Sequence, residues 1–340
     1  MRKSLLAPVL LVILVAAGYA ALNRGGEKPP ADGAETEPPP QEEPPAETPT
    51  TLKGVSLSPR SYGDGDFTGF FEKAAEAGSV VTWAGDWGFL VNGTAPVVVT
   101  ELADVYGYEP VILVTHMDQS AGTSHPLTEE TRGAYLDAVS AYAAEYTPTY
   151  IGVGIEVNSV YMQSPETYEE FREFFPQVCV AVKEASPGTQ VFTVFQLEQM
   201  KGLGGGLFGG VNDESRSQWS LLDDFPDADL LAFTTYPCLI FTDPSEIPGD
   251  YYTGILAHTD KPVAFTEVGW FREDFPGWES GPEEQAEFID RFFELTGDVE
   301  PVMVVWSFLY DQSVQQPFDT MGLLDVEEAH TEAWDAWLSH

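Results

Sequence analysis

Two glutamates stand where apolar runs end. Glu156, in Gly154-Ile155-Glu156-Val157-Asn158, follows the run YIGVGI at 150–155, and Glu267, in Thr266-Glu267-Val268-Gly269-Trp270, follows PVAFT at 262–266. A carboxylate after such a run does not belong to a solvated face, and burying it without a partner is costly. Two carboxyls held ~5–5.5 Å apart can share a displacement at an anomeric carbon with net retention: one attacks, and the other protonates the leaving oxygen. The acid must keep its proton near neutral pH, which a second negative charge nearby favours. Once the nucleophile has lost its charge in an ester, the acid ionises and serves as base on water. The competing reading of each glutamate is a buried structural carboxylate held by an arginine or by backbone amides.

The elements that must position such a pair can be counted. Eight β-rich apolar runs alternate with longer amphipathic stretches: GVSL (54–57), SVVTW (79–83), PVILVT (110–115), YIGVGI (150–155), QVFTVF (190–195), LLAFT (230–234), PVAFT (262–266) and PVMVVWS (301–307). Most are continuous rather than alternating, as in a parallel sheet covered on both faces. Helical patterns fill intervals between them, among them 66–77, 128–146, 165–185 and 282–296; in the last, Phe288, Ile289, Phe292 and Phe293 make one apolar stripe. Eight such alternations predict an α/β chain closed as a (β/α)8 TIM barrel over residues 52–340, with function at the C-terminal ends of the strands. No GxGxxG follows the first strand, which disfavours a dinucleotide fold. Glu156 and Glu267 then end strands four and seven and meet across the barrel mouth.

Other strand ends carry sugar-like chemistry. Trp83, Asp86 and Trp87 follow strand two, His116 and Asp118 strand three, Gln196 and Glu198 strand five, and Trp270 follows Glu267. Aromatic faces stack on sugar rings while amides and carboxylates bond hydroxyls, so the set is expected to bind carbohydrate. Any single tryptophan is as readily a packing residue, and His116 alone could simply bond a backbone carbonyl. Asn158 lies two residues beyond Glu156, on the same side of an extended chain, and could reach a sugar hydroxyl. Arg60, after strand one, could keep a carboxylate ionised or pair with any of many surface acids. The glycines from Gly202 to Gly210 lack the Lys-Ser/Thr ending of a phosphate cradle and read as a mobile cleft loop. Asp64-Gly65-Asp66 lacks the remaining ligands of a calcium loop and reads as a turn and helix cap.

Here the chain resembles glycoside hydrolase clan A, the barrel families of endo-galactanases, mannanases and cellulases. The resemblance covers residues 52–340 by architecture, through motifs of a few residues each. It implies that Glu156 is the acid/base and Glu267 the nucleophile. It further implies that Tyr236, in Thr235-Tyr236-Pro237, contacts the nucleophile and that Trp306 forms the aromatic floor under the cleaved sugar. Where most of the clan has Asn immediately before the acid/base, this chain has Ile155. A retaining hydrolase of β-glycosidic bonds is therefore expected, with a carbohydrate-binding barrel weak or inactive in catalysis as the alternative. Substrate-assisted chitin cleavage is disfavoured because no DxxDxDxE pattern ends strand four.

Composition bounds the setting. The chain has 340 residues, with 15 basic and 55 acidic. From residue 52 onward 11 basic and 48 acidic residues remain, a net charge of about −37, which makes nucleic acid and anionic lipid poor partners and suggests adaptation to salt, which screens self-repulsion. Residues 1–22 place Arg2 and Lys3 before an uncharged run of nearly bilayer-spanning length and read as a membrane anchor, or as a signal peptide cleaved after Ala20. Residues 23–51 are a Pro/Glu/Thr-rich spacer unable to fold. The domain is thus expected outside the cell, tethered or secreted, with the membrane engaged only through that segment, and as a monomer. The sequon at Asn92 is compatible with export. Cys179 and Cys238, the only cysteines, read as core residues, although one disulfide stays open. With five scattered histidines, no metal site or cofactor is expected.

Overall fold

The computed structural model describes residues 51–340 apart from 92, 119–122 and 328. The anchor or signal segment, the spacer as far as residue 50 and the sequon asparagine lie outside the described residues. Among the described residues no helix is long and apolar enough to cross a membrane.

Eight parallel strands close on themselves: β1 (Leu52–Ser56), β2 (Val80–Asp86), β3 (Glu109–Thr115), β4 (Tyr150–Val153), β5 (Gln190–Gln196), β6 (Leu230–Thr235), β7 (Val263–Val268) and β8 (Met303–Trp306). Each pairs with its sequence neighbours, and β8 pairs with β1, so the sheet has no edge. Strand residues alternate between two apolar layers. Val80, Val111, Leu113, Phe192, Val194, Leu230, Ala232, Ala264, Met303 and Val305 fill the interior. Val55, Val81, Ile112, Ile151, Val191, Phe233, Phe265 and Val304 meet the surrounding helices. Both faces of every strand are therefore dry, which is why the runs read as continuous. Gly152 is the interior's small partner: a Cβ there would lie 2.3 Å from Leu113 Cδ2 and 3.0 Å from the Phe192 ring.

The helices are α1 (Asp64–Ala77), α2 (Ala95–Tyr106), α3 (Glu129–Tyr146), α4 (Val157–Gln163), α5 (Pro165–Ala185), α6 (Leu197–Met200), α7 (Pro282–Thr296) and α8 (Glu332–Ser339). Local chemistry sets their starts. Thr128 caps α3 by accepting the Thr131 amide, and Ser164 accepts that of Thr167 with Pro165 at the first position of α5. α7 buries Phe288, Ile289 and Phe292 against the barrel, while Phe293 turns toward Trp337 of α8. The plan of one helix per strand fails twice. Between β5 and β6 the chain runs through the four-residue α6 and short 3-10 turns, and between β6 and β7 through 3-10 turns alone. Six glycines between 202 and 210 in the first interval, and Pro237, Pro244 and Pro248 in the second, remove the propensity for a longer helix. The glycine-rich stretch is a compact loop: Gly210 N–H donates to Gly204 O, Asp213 N–H to Gly202 O and Gly205 N–H to Asn212 Oδ1. Both cysteines are buried and free.

Candidate active site

Above the apolar layers the barrel mouth turns polar, lined by Thr82, Glu156, Thr234, Tyr236, Glu267 and Ser307, all buried. Backbone irregularities place the two glutamates there. β4 ends at Val153, two residues earlier than the apolar run suggests, and both Gly154 (φ 80°) and Glu156 (φ 48°, ψ 47°) are left-handed. That conformation costs a non-glycine residue ~1–2 kcal/mol. The anchoring of α4, which begins at the next residue, holds it: Asn158 Nδ2 donates to Gln196 O (3.0 Å) and Gln218 Oε1 (2.8 Å), and Asn158 Oδ1 accepts the Gln196 amide (2.8 Å). On β7 the device is a β-bulge. Phe233 pairs with Phe265 but Thr234 pairs with Glu267, and on the other side Val304 pairs with Phe265 while Trp306 pairs with Val268. One extra residue, Thr266, is thus accommodated in both ladders. Strict alternation after inward Ala264 would send Glu267 out toward the helices; the bulge turns it inward.

Glu156 Oε1 accepts a hydrogen bond from Thr234 Oγ1 (2.7 Å), and its Oε2 has no partner among the described residues. Tyr236 Oη donates to Glu267 Oε2 (2.6 Å) and lies 2.9 Å from Ser307 Oγ, whose single proton is within reach of both Tyr236 Oη and Val268 O (3.0 Å). Burial pushes the Glu156 carboxyl well above the usual range and the charge of Glu267 pushes it further, against the opposing Thr234 bond. Burial raises Glu267 to about 7, opposed by the Tyr236 bond. The charge of Glu267 raises Glu156, whereas burial alone raises Glu267, so the pair titrates in order, with the proton kept on Glu156 and the charge carried by Glu267. The Tyr236 phenol is itself raised by burial and by Glu267, so it remains a donor. A crevice of about 20 Å³ beside Glu267, lined also by Ser56, Thr82, Trp83, Ser307 and Phe308, has room for one water. A pyranose ring enters only if side chains at this rim move.

Several residues expected to contact sugar are committed elsewhere. Trp306 points out of the barrel, packed between Phe288 and Trp337 with its indole N–H on Met321 O, so it is not a floor to the site. Its neighbours explain this, since Val305 and Ser307 take the inward positions. Trp270 stacks on Phe288 of α7 and donates to Ser280 Oγ. Asn158 spends both ends of its amide on the anchoring just described. Gln196 caps α6 by accepting the Gln199 amide and donates to Glu198 Oε2. Arg60 pairs with Asp66 at 2.7 Å and lies over the Tyr310 ring, and so takes the surface alternative. His116 is buried and stacked 5.3 Å from Phe171 of α5; burial lowers its pKa to about 4, and neither ring nitrogen has a partner among the described residues. Asp86 Oδ1 accepts the Gly88 amide, while its Oδ2 lies 2.9 Å from His125 Nε2, off the line of a hydrogen bond. Of the expected set, Tyr236 and Trp83 border the pair. Thr234 and Ser307 were not foreseen as site residues. Glu198 belongs to a separate buried network, accepting from Thr235 Oγ1 and Tyr251 Oη at 2.8 Å each.

With that geometry in place, comparison with known proteins supplies one further finding. No family model matches the chain, and no curated protein matches it. Among solved structures, a variant of GH5_18 from Streptomyces cattleya superposes with a TM-score of 0.63 at 14% identity, over 85% of this chain and 80% of that one. The chain has the barrel fold of glycoside hydrolases. The exo-beta-1,4-mannosidase Op5Man5 from Opitutaceae bacterium strain TAV5 (TM-score 0.61, 14% identity) is matched over 85% of this chain and 59% of its own. A family 39 glycoside hydrolase from Bacteroides cellulosilyticus WH2 (TM-score 0.57, 16% identity) is matched over 84% and 62%. The chain thus spans about three fifths of the length of these last two.

Proposed function

We propose that the protein is a glycoside hydrolase that cleaves β-glycosidic bonds with retention, Glu267 acting as nucleophile and Glu156 as acid/base. One observation carries this reading: two buried carboxyls share the barrel mouth, one held protonated and the other supplied with a phenol donor. The Glu267 carboxylate attacks the anomeric carbon as Glu156 passes its proton to the departing glycosidic oxygen, leaving a glycosyl ester and an ionised Glu156. Loss of charge at Glu267 removes the repulsion that added to burial in holding Glu156 protonated, so the ionised Glu156 can take a proton from water as that water attacks the ester. Thr234 stays bonded to Glu156 in both states, and Tyr236 steadies the carboxylate that is re-formed. Residues 1–22 and the spacer suit a domain held outside the cell on a large substrate. Incubating wild type, Glu156→Ala and Glu267→Ala with β-galactans, β-mannans and β-glucans tests the catalytic reading: sugar release by wild type, lost in both variants, is expected, and release that persists in either refutes it.

A second reading, a carbohydrate-binding barrel without turnover, draws on two observations. Ile155, where the clan has Asn, points into the apolar interior, and the crevice at the pair is small. Binding without sugar release, unchanged by either glutamate substitution, favours it.

A further inference from the structure

A roomy groove lies beside the glutamate pair rather than on it. It encloses about 700 Å³ between the end of α4, the glycine-rich loop and the 3-10 turns that precede β6, within the ~300–1,000 Å³ of small-molecule sites. Among the described residues, three of the nine exposed large hydrophobic side chains gather here: Tyr161 (38% exposed), Met162 (50%) and Val211 (68%). A clustered apolar patch on an otherwise strongly charged surface marks a binding site. The groove is mechanically continuous with the pair. Glu156 immediately precedes α4, the first turn of α4 is bonded through Asn158 to Gln218 and through Ser159 to Gln199, and both glutamines line the groove. At 1.5 Å per residue, Tyr161 stands only ~7–8 Å along the helix from Glu156.

Charge narrows the ligand. Of the eleven lysines and arginines from residue 52 onward, Arg216 alone has no acid, carbonyl or aromatic partner among the described residues, and it lines the groove. Its planar fork of N–H donors suits a pair of adjacent hydroxyls. A domain of net charge about −37 repels a polyanion, so the ligand that fits is an uncharged chain with one apolar ring face and hydroxylated edges.

We propose that this groove binds the leaving-group portion of an uncharged glycan chain, with Tyr161 stacking on a sugar ring and Arg216, Gln199 and Gln218 bonding its hydroxyls. This rests on the hydrolase reading, in which Glu156 protonates the departing oxygen: the part of the substrate beyond Glu156 is then the part that leaves. It makes the leaving group a run of several sugar units, because a small leaving group would leave the groove empty.

The test titrates the full chain carrying Glu267→Gln with β-1,4-mannohexaose, cellohexaose and β-1,4-galactohexaose, with the corresponding disaccharides, and with hexameric β-1,4-mannuronate as the charged probe. One uncharged hexasaccharide is expected to bind, at least tenfold tighter than its disaccharide. Tyr161→Ala and Arg216→Ala are each expected to weaken the hexasaccharide about three- to tenfold and leave the disaccharide unchanged. Absent hexasaccharide binding, binding indifferent to both substitutions, or preference for mannuronate overturns the proposal. Hydrolysis of the bound hexasaccharide by wild type and by Glu267→Ala is followed separately. Turnover independent of Glu267 defeats the catalytic reading, whereas binding independent of Tyr161 and Arg216 defeats the groove.

Discussion

Replacing Glu267 by glutamine should make the folded protein more stable in alkaline solution and leave it nearly unchanged in acid. The carboxyl is raised from 4.5 to about 7 in the fold by burial. Below pH 4.5 it is protonated in folded and unfolded chain alike, so its titration contributes no penalty. As pH rises the unfolded chain releases its proton first, and the folded state loses stability until the buried group also ionises near 7. At about 1.4 kcal/mol per pH unit, the full cost above pH 7 is on the order of 3 kcal/mol. Glutamine avoids ionisation while its carbonyl oxygen can still accept from Tyr236, although its amide gains no equally good acceptor, so about 2–3 kcal/mol should be recovered. For a domain of this size that corresponds to roughly 3–5 °C in Tm at pH 8.5. Urea denaturation of wild type and Glu267→Gln at pH 4 and pH 8.5 measures the difference directly. A variant no more stable than wild type at pH 8.5, or an advantage equal at both pH values, would refute the assignment of a strained buried charge to Glu267.

Three further outcomes are expected. Tyr236→Phe removes the donor that holds Glu267 down, so the acid limb of the kcat/KM profile should move to higher pH and kcat/KM should fall about ten- to a hundredfold; a profile with an unmoved acid limb contradicts the role given to that bond. Gly152→Ala forces a methyl to 2.3 Å from Leu113 Cδ2 inside the barrel and should cost about 1–3 kcal/mol in urea unfolding. Thermal midpoints should rise between dilute buffer and molar salt, because salt screens the repulsion of about −37 charges; equal midpoints contradict that cost.

The barrel was legible because eight dry strands leave eight apolar runs, and the interior and exterior layers of a parallel barrel both demand them. The positions of Glu156 and Glu267 were legible for the same reason, as acids interrupting those runs. Their orientations were not. Where both faces of a strand are apolar there is no alternation to read, so the bulge at Thr266 and the left-handed turn at Glu156 leave no mark in residue type. That blindness also accounts for Trp306, taken as a floor and found among the helices between inward-facing Val305 and Ser307. Asn158 and Gln196 failed for a different reason. Both are placed near the mouth, but the short α4 and α6 need capping and anchoring there, and their amides are spent on backbone groups. The hydroxyls of Thr234 and Ser307 carried a usable signal, since each is a small polar residue closing an apolar run within two residues of an expected site residue.

The extra residue in β7 has a consequence for how this strand can change length. Because the insertion is absorbed between Phe265 and Val268 on both ladders, the half of the strand below it answers to the hydrophobic layers and the half above it answers to the reacting groups. Loss of the single codon for Thr266 would set Glu267 directly after outward Phe265, still in the inward phase and still opposite Thr234, and leave the lower pairing untouched. The result would be a regular strand with its carboxylate still turned to the mouth, so the insertion can be shed without turning the acid away.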